Sequence, residues 1–66
     1  MSREGEFFIF CVQLYSHVKS MSGVEVFDLF SKSGVRDYIL NHFESLHTTG
    51  NDYIIADIDE FLKITK

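Results

Sequence analysis

The sequence predicts an all-α fold, and three observations carry that expectation. Apolar residues recur at helical spacing over most of the chain, capping signals precede two of the apolar runs, and glycine marks a break between them. Sixty-six residues are enough for one domain, taken as 1–66. A domain of about 60 residues buries only about 60% of the surface its unfolded chain exposes. Chains this short therefore rely on disulfides, a metal, a partner or well-specified helix packing. A single cysteine rules out an internal disulfide. Seven Phe and three Tyr, with no proline, supply enough apolar surface to argue against disorder.

The first helix is expected over residues 6–20. Phe7, Phe8, Cys11, Leu14, Tyr15 and Val18 share one face, while Gln13, Ser16, His17 and Ser20 fall opposite. After the turn Ser20-Met21-Ser22-Gly23, Ser22 and Glu25 form a capping box, each side chain satisfying an amide at a helix start. A second helix over 23–32 then buries Val26, Phe27 and Phe30, and Ser33-Gly34 stops it. A third, over 35–46, buries Val35, Ile39, Phe43 and Leu46 beside Leu40, with Arg36, Asp37, Asn41 and Glu44 toward water. Polar turn residues fill 47–52. Tyr53-Ile54-Ile55 reads as a short extended run. Asp57 and Glu60 repeat the capping pattern and open a last helix over 58–64 that buries Ile58, Phe61 and Leu62. The expectation is a small four-helix domain with a short extended segment before the last helix.

Charge narrows the function classes. Six Lys and Arg stand against ten Asp and Glu, for a net charge of −4. The cations, Arg3, Lys19, Lys32, Arg36, Lys63 and Lys66, are scattered along the sequence, and residues 51–62 carry Asp52, Asp57, Asp59 and Glu60 with no cation. Nucleic-acid affinity comes chiefly from cations that neutralise phosphates, so an acidic chain is a poor match. The same acidic end repels an anionic membrane. No apolar run approaches the roughly 20 residues that span a bilayer. The six-residue run from Phe7 to Val12 is too short, and its start too acidic, for a secretory signal. The cytoplasm, with a reduced thiol, is the expected compartment.

Reactive constellations are sparse. Cys11 and His17 are six apart, about 600° around a helix, and so point to opposite faces. Cys11 sits in the apolar stripe, where a free thiol serves as a small hydrophobe. His42 and His47 lack the i, i+4 spacing of a helical ligand pair, so neither a metal nor another cofactor is expected. With no nucleophile–base or paired acid/base set, no enzymatic activity is expected either. His47, Thr48 and Thr49 before Gly50 read as a C-terminal cap with a hydrogen-bonded turn, or as a candidate binding loop. Ser33-Gly34-Val35 between two short helices resembles a helix-turn-helix, with Arg36, Asn41 and His42 on the would-be recognition helix. Phe30 is bulky for the close crossing that motif makes, and Asp37 and Glu44 are misplaced on a DNA-reading helix. On the first helix, Ile9 and Phe10 lie about 40° and about 60° from Gln13, toward the polar face. Apolar residues outside the core stripe are either covered by the fourth helix or the Tyr53–Ile55 segment, or mark a candidate partner surface, for another protein or for a second copy of this chain.

A resemblance covers the chain almost end to end. It rests on Glu6-Phe7-Phe8-Ile9-Phe10-Cys11-Val12, Ser22-Gly23-Val24-Glu25-Val26, Phe30-Ser31-Lys32-Ser33-Gly34-Val35 and Asp37-Tyr38-Ile39. The most specific stretches are Leu46-His47-Thr48-Thr49-Gly50 and Tyr53-Ile54-Ile55-Ala56-Asp57-Ile58-Asp59-Glu60-Phe61. These resemble the short bacterial proteins of the domain of unknown function 3791 family. The resemblance implies no catalytic residues. It does imply a bacterial source and a gene neighbourhood that often includes a protein resembling ADP-ribosyltransferases, hence a regulator, an antitoxin-like protein or an accessory subunit.

Overall fold

The first helix starts before its apolar stripe does. The Ser2 side chain accepts the Gly5 N–H at 3.0 Å, and α1 runs Arg3–Lys19 from that cap. The computed structural model describes residues 2–65, with side chains through Lys63; Met1 and Lys66, the limits of the expected domain and one of the six cations, lie outside the described residues. At its far end α1 closes on Ser20, which takes the left-handed conformation at φ 56°, and Met21 N–H returns to the Ser16 carbonyl at 2.9 Å. The second helix, α2 (Gly23–Ser33), has the expected capping box in both halves. Ser22 Oγ accepts from Glu25 N–H at 3.1 Å, and Glu25 Oε1 accepts from Ser22 N–H at 2.9 Å. Those hydrogen bonds hold the Glu25 carboxyl below the usual carboxylate range. Gly34, at φ 87°, ends α2 and leads directly into the next helix.

Several expectations need correction. The helix expected over 35–46 is split at His42 into α3 (Val35–Asn41) and α4 (Phe43–Leu46). His42 N–H is shared between the Tyr38 and Ile39 carbonyls at 3.0 and 3.3 Å, and the His42 ring also meets the Tyr38 carbonyl at 2.9 Å. A side chain inserted into the hydrogen-bond ladder bends a helix at that point. The extended segment is absent. Tyr53-Ile54-Ile55 forms the first turns of α5 (Asn51–Thr65), and the described residues contain five helices. Ile54, Ile58 and Leu62 recur at every fourth residue, so one helical face gathers all three. Asp57 is therefore mid-helix and caps nothing; its carboxylate accepts the Tyr38 hydroxyl at 2.7 Å instead.

Every helix contributes to one core. Phe8, Cys11, Val12 and Tyr15 of α1 pack with Val26 and Phe30 of α2, Val35 and Ile39 of α3, Leu46 of α4, and Ile54 and Ile58 of α5. Phe30, Ile39, Ile58, Val26, Val35 and Cys11 are fully buried. A large apolar side chain contributes roughly 1.5–3 kcal/mol when fully buried. Phe27 and Val18, expected inside, are exposed. Phe27 lies about 100° around α2 from Val26, at the edge of the buried stripe. Its ring meets the Phe8 ring edge-on at 5.9 Å. No helix among the described residues is long and apolar enough to cross a membrane.

Candidate interaction surface

Ile9 and Phe10 are both half-exposed, at 47% and 41%, but they do not form one patch. Phe10 turns toward Phe7 and stacks on it at 6.2 Å; Phe7 in turn meets the Phe43 ring edge-on at 5.6 Å. The Arg3 guanidinium lies 5.3 Å from the centre of that Phe43 ring. Ile9 turns the other way, toward α2. There it lines an open groove of about 420 Å³ with Phe8 and Val12 below it and Val24 and Phe27 across from it. Val24 is 80% exposed and Phe27 52%. Gln13 and Gly23 complete the lining, so no charged residue among the described ones lines the groove. Sequence reasoning missed Val24 and Phe27. The available signal was that apolar residues at 24, 26, 27, 29 and 30 are too many for one stripe on so short a helix.

On the other flank of α1, polar side chains are paired. Tyr15 donates its hydroxyl to Asp59 Oδ1 at 2.6 Å, and Lys19 Nζ meets Asp59 Oδ2 at 2.8 Å. Burial, then the hydrogen bond and charge of Asp59, push the Tyr15 phenol well above its ordinary range. Burial works against the Asp59 carboxylate, but the hydrogen bonds from Lys19 and Tyr15 outweigh it and hold its pKa low. Tyr38 is pushed up to about 12, chiefly by its hydrogen bond to Asp57. Burial likewise pushes the Cys11 thiol up to about 12, which leaves very little thiolate at neutral pH.

The loop site folds back on its own helix. The His47 ring stacks on Phe43 at 4.4 Å and its Nδ1–H donates to the Phe43 carbonyl at 2.7 Å, a bond that assigns the proton to Nδ1. Thr48 Oγ1 donates to the Ser45 carbonyl at 2.9 Å and Thr49 Oγ1 to that of Leu46 at 2.7 Å. All three side chains thus satisfy carbonyls at the end of α4. Thr49 also borders a small crevice of about 200 Å³ with Tyr38, His42, Tyr53 and Asp57. Among the described residues, no three of His, Cys, Asp or Glu are grouped to hold a metal. Around the Gly34 turn, Phe30 is fully buried, and Arg36, Asp37, Asn41, His42 and Glu44 face water.

Fold and surface together define a small all-helical protein whose α1–α2 seam is left partly open. A family model described as a protein of unknown function, DUF3791, matches residues 6–64, and the chain belongs to that family. Searches of curated proteins and of solved structures found no match.

Proposed function

We propose that this protein works by contact, as a non-enzymatic protein–protein interaction or regulatory module of the bacterial cytoplasm. The α1–α2 groove is its docking surface, and a second copy of the chain is its first occupant. The observation that carries the reading is the exposure of Ile9, Val24 and Phe27 along one groove. Exposed apolar residues in one patch mark contact sites more often than scattered single ones do. The lining is uncharged, so two copies with a net charge of −4 each can meet there without opposing carboxylates at the centre. A self-complementary patch of this kind suits a two-fold dimer. The non-enzymatic part draws support from Cys11, whose thiol is buried and protonated, and from Tyr15, Tyr38, Asp57 and Asp59, which are occupied in structural pairs.

Sedimentation velocity over a range of concentrations tests the proposal. Association should rise with concentration, and Ile9→Glu or Phe27→Glu should abolish it while the helical circular dichroism stays intact. A monomer at every concentration overturns self-association. The docking surface would then rest on a hetero-partner, tried first with the neighbouring gene product that resembles ADP-ribosyltransferases. The alternative, a DNA-binding helix-turn-helix accessory, draws on the left-handed Gly34 between α2 and α3 and the exposed Arg36 and Asn41. A salt-dependent mobility shift on duplex DNA would favour it, and the absence of a shift at low salt removes it.

A further inference from the structure

Three cations that are far apart in the sequence come together on one side of the fold. Lys32 of α2 and Lys63 of α5 line an open cavity of about 580 Å³. Lys19 of α1 is bonded to Asp59, a third lining residue. Leu29 and Leu62 supply its apolar lining, and Tyr15 and Ser33 the remaining polar atoms. Its size falls within the range of small-molecule sites, roughly 300–1,000 Å³.

We propose that this cavity binds a small amphipathic anion, an acidic head on an apolar body. Lys32 and Lys63 receive the head, and Leu29 and Leu62 the body. The charge balance supports this. Asp59, the one lining carboxylate among the described residues, is already neutralised by Lys19 at 2.8 Å and holds the Tyr15 hydroxyl at 2.6 Å, so it offers an incoming anion little repulsion. The partner of Lys32 is Asp28, 3.0 Å away in a surface pair whose side chains are 76% and 60% exposed. Such pairs are weak and rearrange easily, so the Lys32 ammonium can turn to a ligand. The cavity therefore concentrates positive charge in a chain whose net charge is −4. Ser33 also belongs to the cavity wall; its Oγ is buried, with no hydrogen-bond partner among the described residues. The site is separate from the α1–α2 groove, because it uses the side of α2 that carries Leu29 and Ser33 and not the side that carries Val24 and Phe27.

The test is a titration of the full chain with submicellar dodecanoate, followed by amide NMR shifts. The shifts should centre on Leu29, Lys32, Ser33 and Lys63. The double variant Lys32→Glu/Lys63→Glu, on exposed positions, should weaken binding about tenfold or more. Phe27→Glu should leave it unchanged. Dodecylamine should bind far more weakly, and so should inorganic phosphate, which lacks the apolar body. Equal binding of dodecylamine, shifts centred on Ile9 and Val24, or no loss in the double variant would each overturn the proposal. Binding to phosphatidylglycerol vesicles without binding of free dodecanoate would overturn it as well, because that pattern belongs to a membrane surface.

Discussion

α2 and α5 both pack against α1, by different means. The α1–α2 seam is aromatic and aliphatic: Phe8 and Tyr15 meet Phe30, Phe8 meets Phe27, and part of the apolar surface stays in water. On the α5 side, Ile54 and Ile58 are buried while Tyr15, Lys19 and Tyr38 reach the carboxylates of Asp59 and Asp57. Apolar contact is non-directional and tolerates a loose edge. A hydrogen-bonded pair sets register, and leaving one partner behind is costly. The seam that must hold one geometry uses polar clasps. The other seam keeps a surface that a partner can cover.

Alkaline pH should produce the largest break. Cys11, Tyr15 and Tyr38 all have raised pKa values when folded. Each contributes stability in full below its unfolded value, near 9 for the thiol and near 10 for the phenols, and loses it as pH rises toward the folded value. Cys11 alone, moved from 9.0 to about 12, corresponds to roughly 4 kcal/mol at about 1.4 kcal/mol per pH unit. Chemical denaturation from pH 8 to 12 should show a steep fall, flatter in Cys11→Ala. Next comes Ile58→Ala, which removes a fully buried side chain from the α5 seam. It should cost about 3 kcal/mol by urea denaturation, within the range for such cavities. Asp59→Ala should cost about 1 kcal/mol, because it strips a partner from Tyr15 in a half-exposed setting where screening reduces the ion-pair share. The folded pKa of Asp59 lies below its ordinary value. Its stabilisation is therefore present above about pH 4 and lost as pH falls through the folded pKa, an acid-side slope that thermal melts of Asp59→Ala should lack. The smallest effect belongs to the open seam. At concentrations low enough to keep the chain dissociated, Phe27→Ala should lower the melting stability by less than about 1 kcal/mol, since half of that side chain is already in water.

Much of this architecture was legible in the sequence, and two capping patterns show where legibility stopped. Ser22 with Glu25 forms a true box, because Ser20 in the left-handed conformation has already ended α1 just before it. Asp57 with Glu60 has the same spacing, but nothing between Asn51 and Ala56 interrupts a helix, and the backbone runs straight through. Spacing alone cannot separate the two; the chain before the motif can. The same limit applies to Tyr53-Ile54-Ile55, whose aromatic and β-branched residues carry a weak strand preference that the four-residue spacing of Ile54, Ile58 and Leu62 overrides. Ile9 and Phe10 fall outside the core stripe as their positions along the helix dictate, since helical phase is a local property. That Val24 and Phe27 join Ile9, and that Lys32 and Lys63 share a cavity, depends on how helices cross, which no local pattern encodes.

Cys11 can also serve as a clock. It is the chain's only thiol, and it lies at the centre of the packed helices with no exposed surface. A thiol reagent can reach it only when the helices part. Its labelling rate in the native state therefore reads how often the core opens, and a ligand or partner that tightens the fold will slow that rate by the factor it adds to stability.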